Sequence, residues 1–457
     1  MRKYAAYFTI LLLIIVIGCS RNSSVQQFSG IWEGIVQFPG FSYRIVFLFS
    51  DGNDMQVEVI FPDQSDKTFS ATSIKFTYPD ILLRFDQIKS NFKGNFKNTH
   101  LTGTWEQAGR PMPLNMEQVE EIASSKRPQT PQAPFPYDEQ EVSYGNGDVH
   151  IVGTLTTPNN VKAFPAVILI PGVGSHERDN TFFEHRPFFV IADFLTRNGI
   201  AVLRYDERGV GSSKGDRTQA TTRDFAQDVI AGVDYLKSLP QIKEIGLIGH
   251  SEGGTIASLV AAELPDISFI VMMGSPGLNG VEYNLQFEES MSRIMEMSEK
   301  EIIGKIDFQK EVLNIILEEE CEDSAKIKLE KLYTISHPDL PKDRIQATLQ
   351  RLLSPWFRYN LTYDPKQNLQ QIICPVLALF GEKDMQVPPE GNAEVVKTAL
   401  IMGGNHNFEV KEIPRVNHYF QTAQTGSPQE YRLIEETISP VVLEIIYTWI
   451  HEQIGKK

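Results

Sequence analysis

Cysteine is scarce: the 457-residue chain has three, too few for the dense bridging that replaces a core in small secreted scaffolds. No C-x-x-C and no H-E-x-x-H occurs, so no strong metal signature is present. Positive charge is also in short supply. Against 58 Asp and Glu stand 43 Lys and Arg, a formal net charge of −15. Without a Lys/Arg-rich run there is no basic stripe to displace counterions, and a nucleic-acid partner is not expected. Nor is there an apolar run of the roughly 20 residues that a spanning helix needs. No internal repeat is visible, and the one biased tract is rich in proline. What remains, 41% hydrophobic and 22% charged, is the composition of a soluble globular protein. Its length suggests two or three domains.

The N-terminus reads as a processed segment. Met1-Arg2-Lys3 supplies positive charge, and Ile10 to Ile17 is an apolar stretch of signal-peptide length. Gly18 before Cys19 resembles a bacterial lipobox, which implies that Cys19 is diacylated and becomes the mature N-terminus. Residues 1–19 are then a lipoprotein signal and 20–27 a tether, and the membrane is a partner through the lipid anchor. Ser20-Arg21-Asn22 carries no acidic run, which under enterobacterial sorting points to the outer membrane, periplasmic face. An ordinary secretory signal with an incidental cysteine is the alternative. Cys321 and Cys374 are expected to be unpaired thiols, with a bridge as the alternative.

Residues 28–117 hold short alternating strands such as Gly30 to Val36, Tyr43 to Phe49 and Leu101 to Trp105. Such patterning predicts a small all-β domain, barrel or sandwich. Trp32 and Trp105 are core residues or a sugar-stacking pair. Residues 118–136 include four prolines between 128 and 136 and are expected to form an extended, exposed linker. From 137 to 457 the texture is α/β. Strands at Ala166 to Ile170, Ala201 to Tyr205, Ile245 to Ile248, Phe269 to Met273, Val376 to Phe380 and Phe408 to Ile413 alternate with amphipathic helices, the last predicted from Gln429 to Gln453. That alternation implies a parallel sheet covered on both faces. The block 278–368 is too long for a loop and reads as an inserted helical cap. Its Met291, Met295 and Met297 either line an adaptable acyl pocket or pack the cap.

The sharpest signal is Gly249-His250-Ser251-Glu252-Gly253, a G-x-S-x-G between a predicted strand and a predicted helix. A serine on that tight turn needs neighbours without bulk, and its hydroxyl projects above the sheet. A hydroxyl is a weak nucleophile at neutral pH and needs a base. In this motif's chain order, nucleophile then acid then histidine, Asp384 follows the strand at 376–380 and His418 follows the strand at 408–413. Glu382 is the competing acid and Asp206 a distant third. His250 is expected to point away into packing. The backbone N–H groups of Glu252 and Val173 are the candidate oxyanion donors, Val173 lying in Pro171-Gly172-Val173-Gly174 after a strand. These glycines could cradle a phosphate, but no GxxxxGK[ST] occurs.

Tyr205-Asp206-Glu207-Arg208-Gly209-Val210-Gly211-Ser212-Ser213, the Ser251 segment through Gly254, and Asn417-His418-Tyr419-Phe420-Gln421 together resemble bacterial α/β-hydrolase carboxylesterases. They are also similar to the acyl-aminoacyl-peptidase and dienelactone-hydrolase-like groups. The resemblance covers residues 137 to the C-terminus. It implies an α/β-hydrolase fold and hydrolysis of small-molecule esters through an acyl-enzyme, with no cofactor and no metal. One departure is Pro171-Gly172 where His-Gly is common. Arg178-Asp179 fits the family's loop over the site, as a substrate contact or a surface ion pair. Ester hydrolysis by Ser251, His418 and Asp384 is the favoured reading. An aminopeptidase or other acyl hydrolase is the alternative within enzymes, and a non-catalytic binding lipoprotein, whose signature would be a lost triad member, lies outside them.

Overall fold

The computed structural model describes residues 28–38, 41–50, 55–63, 65–107, 109–122, 126–159 and 161–454. The expected signal, Cys19 and the tether lie outside the described residues. Nine antiparallel strands come first: β1 (Gly30–Phe38), β2 (Phe41–Phe49), β3 (Val57–Phe61), β4 (Ser65–Ser70), β5 (Ser73–Thr77), β6 (Asp80–Phe85), β7 (Ser90–Lys97), β8 (His100–Gln107) and β9 (Arg110–Val119). They form one sheet in the order β4-β3-β2-β1-β9-β8-β7-β6-β5. The two edge strands are consecutive in sequence, so the sheet must curl until its edges meet. Ala71 and Thr72 bridge them, Ala71 N–H donating to Val57 O at 2.8 Å and Thr72 N–H to Arg84 O at 2.7 Å. The inner face is aromatic: Trp32, Phe47, Phe85, Phe92 and Trp105 are fully buried there. Both tryptophans are therefore core, and neither presents a face to a sugar.

The second sheet has eight strands: β10 (Tyr137–Asn146), β11 (Val149–Pro158), β12 (Phe164–Ile170), β13 (Ala201–Tyr205), β14 (Ile242–His250), β15 (Phe269–Met273), β16 (Val376–Gly381) and β17 (Phe408–Ile413), in the order β10-β11-β13-β12-β14-β15-β16-β17. An antiparallel hairpin opens it and the other six strands run parallel. Strand β12 shows why its run is unbroken. Ala166, Ile168 and Ile170 enter one core and Val167 and Leu169 the other, so both faces need apolar side chains. Each fully buried aliphatic side chain contributes about 1.5–3 kcal/mol. Helices α1 (Pro187–Arg197), α2 (Thr222–Lys237), α3 (Glu252–Glu263), α10 (Pro389–Met402) and α11 (Pro440–Gln453) accompany the parallel strands.

Six helices, α4 (Gly280–Ile294), α5 (Glu299–Glu318), α6 (Glu322–Ser336), α7 (Lys342–Leu352), α8 (Pro355–Thr362) and α9 (Pro365–Leu369), lie between β15 and β16. Their starts are written locally: Asn279 with Glu282 and Ser298 with Glu301 form capping boxes. They bury a core of their own, with Val312, Leu313, Leu329, Leu349 and Phe357 inside. Two expectations need correction. The last helix begins at Pro440, not Gln429, because proline sets its first turn and the preceding segment is held by tertiary bonds, such as Thr437 N–H to Gln129 Oε1 at 2.5 Å. The linker, too, is docked rather than a free spacer: Arg127 and Gln129 donate to carbonyls of Phe183, Arg432, Ile434 and Ile438. Cys321 is exposed and Cys374 buried, and the two are not bridged to each other.

Candidate active site

Ser251 stands between β14 and α3 with φ 55° and ψ −121°, a conformation that L-residues hold only when the surroundings impose it. The flanking glycines explain themselves. A Cβ on Gly249 would lie 2.0 Å from Gly253 O, and one on Gly253 would lie 2.1 Å from Ile170 O. Any side chain at either position would break the turn. Ser251 N–H donates to Met273 O at 2.8 Å, fixing the turn to the next strand.

Neighbouring strands deliver the other groups at their C-terminal ends, where open α/β sheets bind ligands. Gly172 and Val173 follow β12, Gly274 follows β15, Asp384 follows β16 and His418 follows β17. His418 Nδ1 is 2.8 Å from Asp384 Oδ2, and both side chains are buried. The second carboxylate oxygen accepts the N–H groups of Gln386 at 2.9 Å and Val387 at 2.8 Å. An ionised carboxylate only accepts, so Nδ1 carries the imidazole proton and Nε2 keeps its lone pair. Glu382 is exposed and accepts Arg415 N–H at 2.6 Å. Asp206 is taken by Arg178, through both the backbone N–H and Nη2 at 2.9 Å. Asp179 pairs with Arg186 and Arg204. Neither Arg178 nor Asp179 lines the cavity, so that pair is structural.

Above Ser251 lies a cavity of about 330 Å³, with Ser251, His418, Val173 and Glu252 on its lining. The cap supplies Tyr283 and Phe287 from α4 and Trp356 from α8. The methionines do not line it. Only the first two turns of α4 reach the site, and Met291, Met295 and Met297 lie farther along, partly or fully exposed. Glu252 is the first residue of α3, where a backbone N–H has no acceptor within the helix. Gly172, next to Val173, is so close that a Cβ there would lie 3.0 Å from Ser251 Cβ. The Glu252 carboxyl is buried, and Oε1 accepts Thr222 Oγ1–H at 2.6 Å and Trp356 Nε1–H at 2.7 Å. Burial raises its pKa against the opposing pull of those two donors.

Two contributors were not foreseen. His250 does not point away: its Nε2 donates to the His418 carbonyl at 2.9 Å and its ring lies 4.8 Å from that of His418. Burial, with His418 nearby, lowers its pKa to about 3, so it is neutral when it holds the His418 backbone. Gly274, at φ 58°, leaves room beside Asp384 and His418, since a Cβ there would lie 3.1 Å from Asp384 Oδ2. Both are long-range facts: the loop after β17 folds back across two strands to reach β14, and no local pattern reports that.

The sequence profile of the family described as "Serine aminopeptidase, S33" matches residues 164–420. Among curated proteins, the chain is 24% identical over 318 residues to the esterase EstD of Thermotoga maritima, covering 69% of this chain and 68% of the relative. It is 23% identical over 270 residues to an acyl transferase of Photorhabdus luminescens, covering 57% of this chain and 82% of that one. A solved structure, Est1E of Butyrivibrio proteoclasticus with ferulic acid bound, aligns at a TM-score of 0.41 and 20% identity, over 69% of this chain and 100% of that chain. With more than half of its length matched, the chain belongs to the serine aminopeptidase S33 family of α/β-hydrolases.

Proposed function

We propose that this hydrolase is a carboxylesterase in which Ser251 is the nucleophile, His418 the base and Asp384 the orienting acid. The observation that carries the reading is a strained serine lining the same cavity as a histidine whose Nδ1 proton is fixed by a buried carboxylate at 2.8 Å. Ser251 Oγ attacks the ester carbonyl carbon while His418 Nε2 takes its proton. The oxyanion is met by the N–H groups of Val173 and Glu252, and collapse expels the alcohol, which takes the proton back from Nε2. Water then enters by the same route and releases the acid. Asp384 stays ionised, holding the tautomer and stabilising the imidazolium. The aromatic cap wall supports a substrate with an apolar acyl or alcohol part.

Ester rather than peptide cleavage is favoured by the state of Glu252. Among the described residues it is the one carboxylate on the cavity lining, and its Oε1 already takes two donors. An aminopeptidase needs an acceptor for the substrate ammonium. Turnover of p-nitrophenyl esters of rising chain length, beside aminoacyl p-nitroanilides, tests this. Ester turnover with inert anilides is expected; anilides cleaved faster than esters would reverse the assignment. Cys19 is proposed as the site of a lipid anchor on the periplasmic face of the outer membrane. Fatty-acid label on the wild type and none on Cys19→Ser supports this, and a labelled Cys19→Ser protein overturns it.

A further inference from the structure

The turn at Phe183 and Glu184 has no part in the chemistry above, yet its backbone is unusual. Phe182 and His185 exchange both hydrogen bonds, Phe182 N–H to His185 O at 3.1 Å and His185 N–H to Phe182 O at 2.8 Å. Phe183 and Glu184 are thus the two central residues of a tight hairpin, at φ 46° and 64°. Those are values of a type I′ turn, which Asn-Gly makes readily. Here both positions carry a large side chain in the left-handed region, a conformation that persists only when its surroundings impose it.

The partners that impose it come from the N-terminal domain and the linker. Phe183 N–H donates to Asp63 O at 3.1 Å. Phe183 O accepts Arg127 Nε at 3.0 Å and Nη2 at 2.7 Å. Glu184 Oε1 is 2.7 Å from Arg44 Nη2. Arg44 is buried and gripped by Asp63, whose two carboxylate oxygens accept its Nε–H and its backbone N–H, each at 2.8 Å.

Both ends of the turn press on the loop that carries His418. Phe182 stacks on Tyr419, the next residue after His418, with ring centroids 3.8 Å apart and planes at 23°. Buried His185 accepts Gln421 Nε2–H at 3.0 Å. Gln421 in turn donates its N–H to Asn417 Oδ1 and accepts Asn417 N–H, both at 3.0 Å. The loop 417–421 is therefore held from outside by Phe182 and His185, and from within by its own bonds.

We infer that the N-terminal β domain is a clamp for the active site: Asp63 and Arg44, with Arg127 of the linker, impose the Phe183–Glu184 turn, and the turn positions the His418 loop through Phe182 and His185. The inference rests on His418 being the base. The clamp residues touch neither the cavity nor the reacting atoms, so they are positioning residues. Their loss lowers kcat and leaves KM nearly unchanged, as expected when a reacting group is misplaced in the transition state but the pocket is intact.

Two pairs of variants in the full-length protein test this by kcat, KM and melting temperature. Glu184→Ala loses the Arg44 partner and keeps a β-carbon at φ 64°. Glu184→Gly loses the same carboxylate but adopts that φ freely. Glu184→Ala should lower kcat about 10-fold with KM within about threefold, while Glu184→Gly should keep at least about half of the wild-type kcat. Phe182→Leu should fall by a similar factor and Phe182→Tyr, which keeps the stack, should not. If the glycine variant falls as far as the alanine variant, the carboxylate and not the turn matters, and the inference is overturned. Wild-type kcat in both Glu184→Ala and Phe182→Leu overturns it as well. Should Glu184→Ala fail to fold, the Phe182 pair decides alone. His418→Ala measured alongside separates the two levels: retained turnover removes the base and the clamp with it, whereas lost turnover with unperturbed clamp variants removes only the clamp.

Discussion

Gly274 offers a perturbation whose two effects can be separated. It sits at φ 58°, and a Cβ there would lie 3.1 Å from Asp384 Oδ2 and 3.4 Å from His418 Nδ1. Alanine in this left-handed conformation costs about 1 kcal/mol relative to glycine. The methyl group also crowds the oxygen that accepts the imidazole proton. Asp384 is pinned from its other oxygen by Gln386 and Val387, so it yields only by tilting, and the 2.8 Å bond to His418 loses its alignment. If His418 is the base, as proposed, its misplacement by a few tenths of an ångström should lower kcat about 10- to 100-fold, or roughly 1.4–2.7 kcal/mol of transition-state stabilisation. Gly404 is the control. It has φ 79°, and a Cβ there would meet nothing within 4 Å, so Gly404→Ala carries the strain without the contact. Both variants should lose a few degrees of melting temperature, about 2–4 °C. Only Gly274→Ala should lose kcat on a p-nitrophenyl butyrate assay. An unchanged kcat in Gly274→Ala, or an equal loss in Gly404→Ala, refutes the reasoning.

Three further outcomes follow from the same geometry. Asp384→Asn should reduce kcat about 10⁴-fold by presenting the wrong partner to His418 Nδ1, whereas Glu382→Gln, altering an exposed side chain, should stay within about twofold of wild type; equal losses would reassign the acid. Trp356→Phe removes a donor from buried Glu252 and loosens the cap over the Ser251 turn, so KM should rise about 5-fold with kcat little changed; a kcat-only loss would contradict a binding role. His185 has its pKa lowered to about 4 by burial, with Arg127 adding to the effect, so it contributes stability above its unfolded pKa of about 6.5 that is lost as pH falls toward 4, up to roughly 3 kcal/mol. Denaturant melts from pH 7 to 4 should show a steeper loss for wild type than for His185→Gln, and parallel curves would exclude the linkage.

How much of the molecule is legible in its sequence divides along the range of the interactions. Ser251, Asp384 and His418 could be nominated because each follows a strand whose apolar run is visible and whose order is set by chain direction. The parallel strands themselves were legible because burial on both faces demands unbroken apolar runs, as in β12. The cap was legible as a block too long for a loop, but not which of its faces meets the site. Met291, Met295 and Met297 were attractive by chemistry, yet the cavity takes Tyr283 and Phe287 from the first two turns of α4, while Met291 lies in its last turn and Met295 and Met297 lie beyond its end. His250 and the Phe183–Glu184 turn were illegible for a different reason. Their partners lie 168 residues away in one case, and in the N-terminal sheet in the other. A proline-rich composition marked the linker as extended and gave no sign that Arg127 would dock on three carbonyls.

In the proposed mechanism Ser251, activated by His418, forms the acyl-enzyme. Active-site titration with a fluorophosphonate, read by intact mass and peptide mapping, tests it most directly. One adduct per chain is expected, on Ser251, with labelling abolished in Ser251→Ala and slowed by orders of magnitude in His418→Ala, alongside a turnover loss of about 10⁴-fold or more. An adduct on another residue, or wild-type ester turnover in well-folded Ser251→Ala, would contradict it.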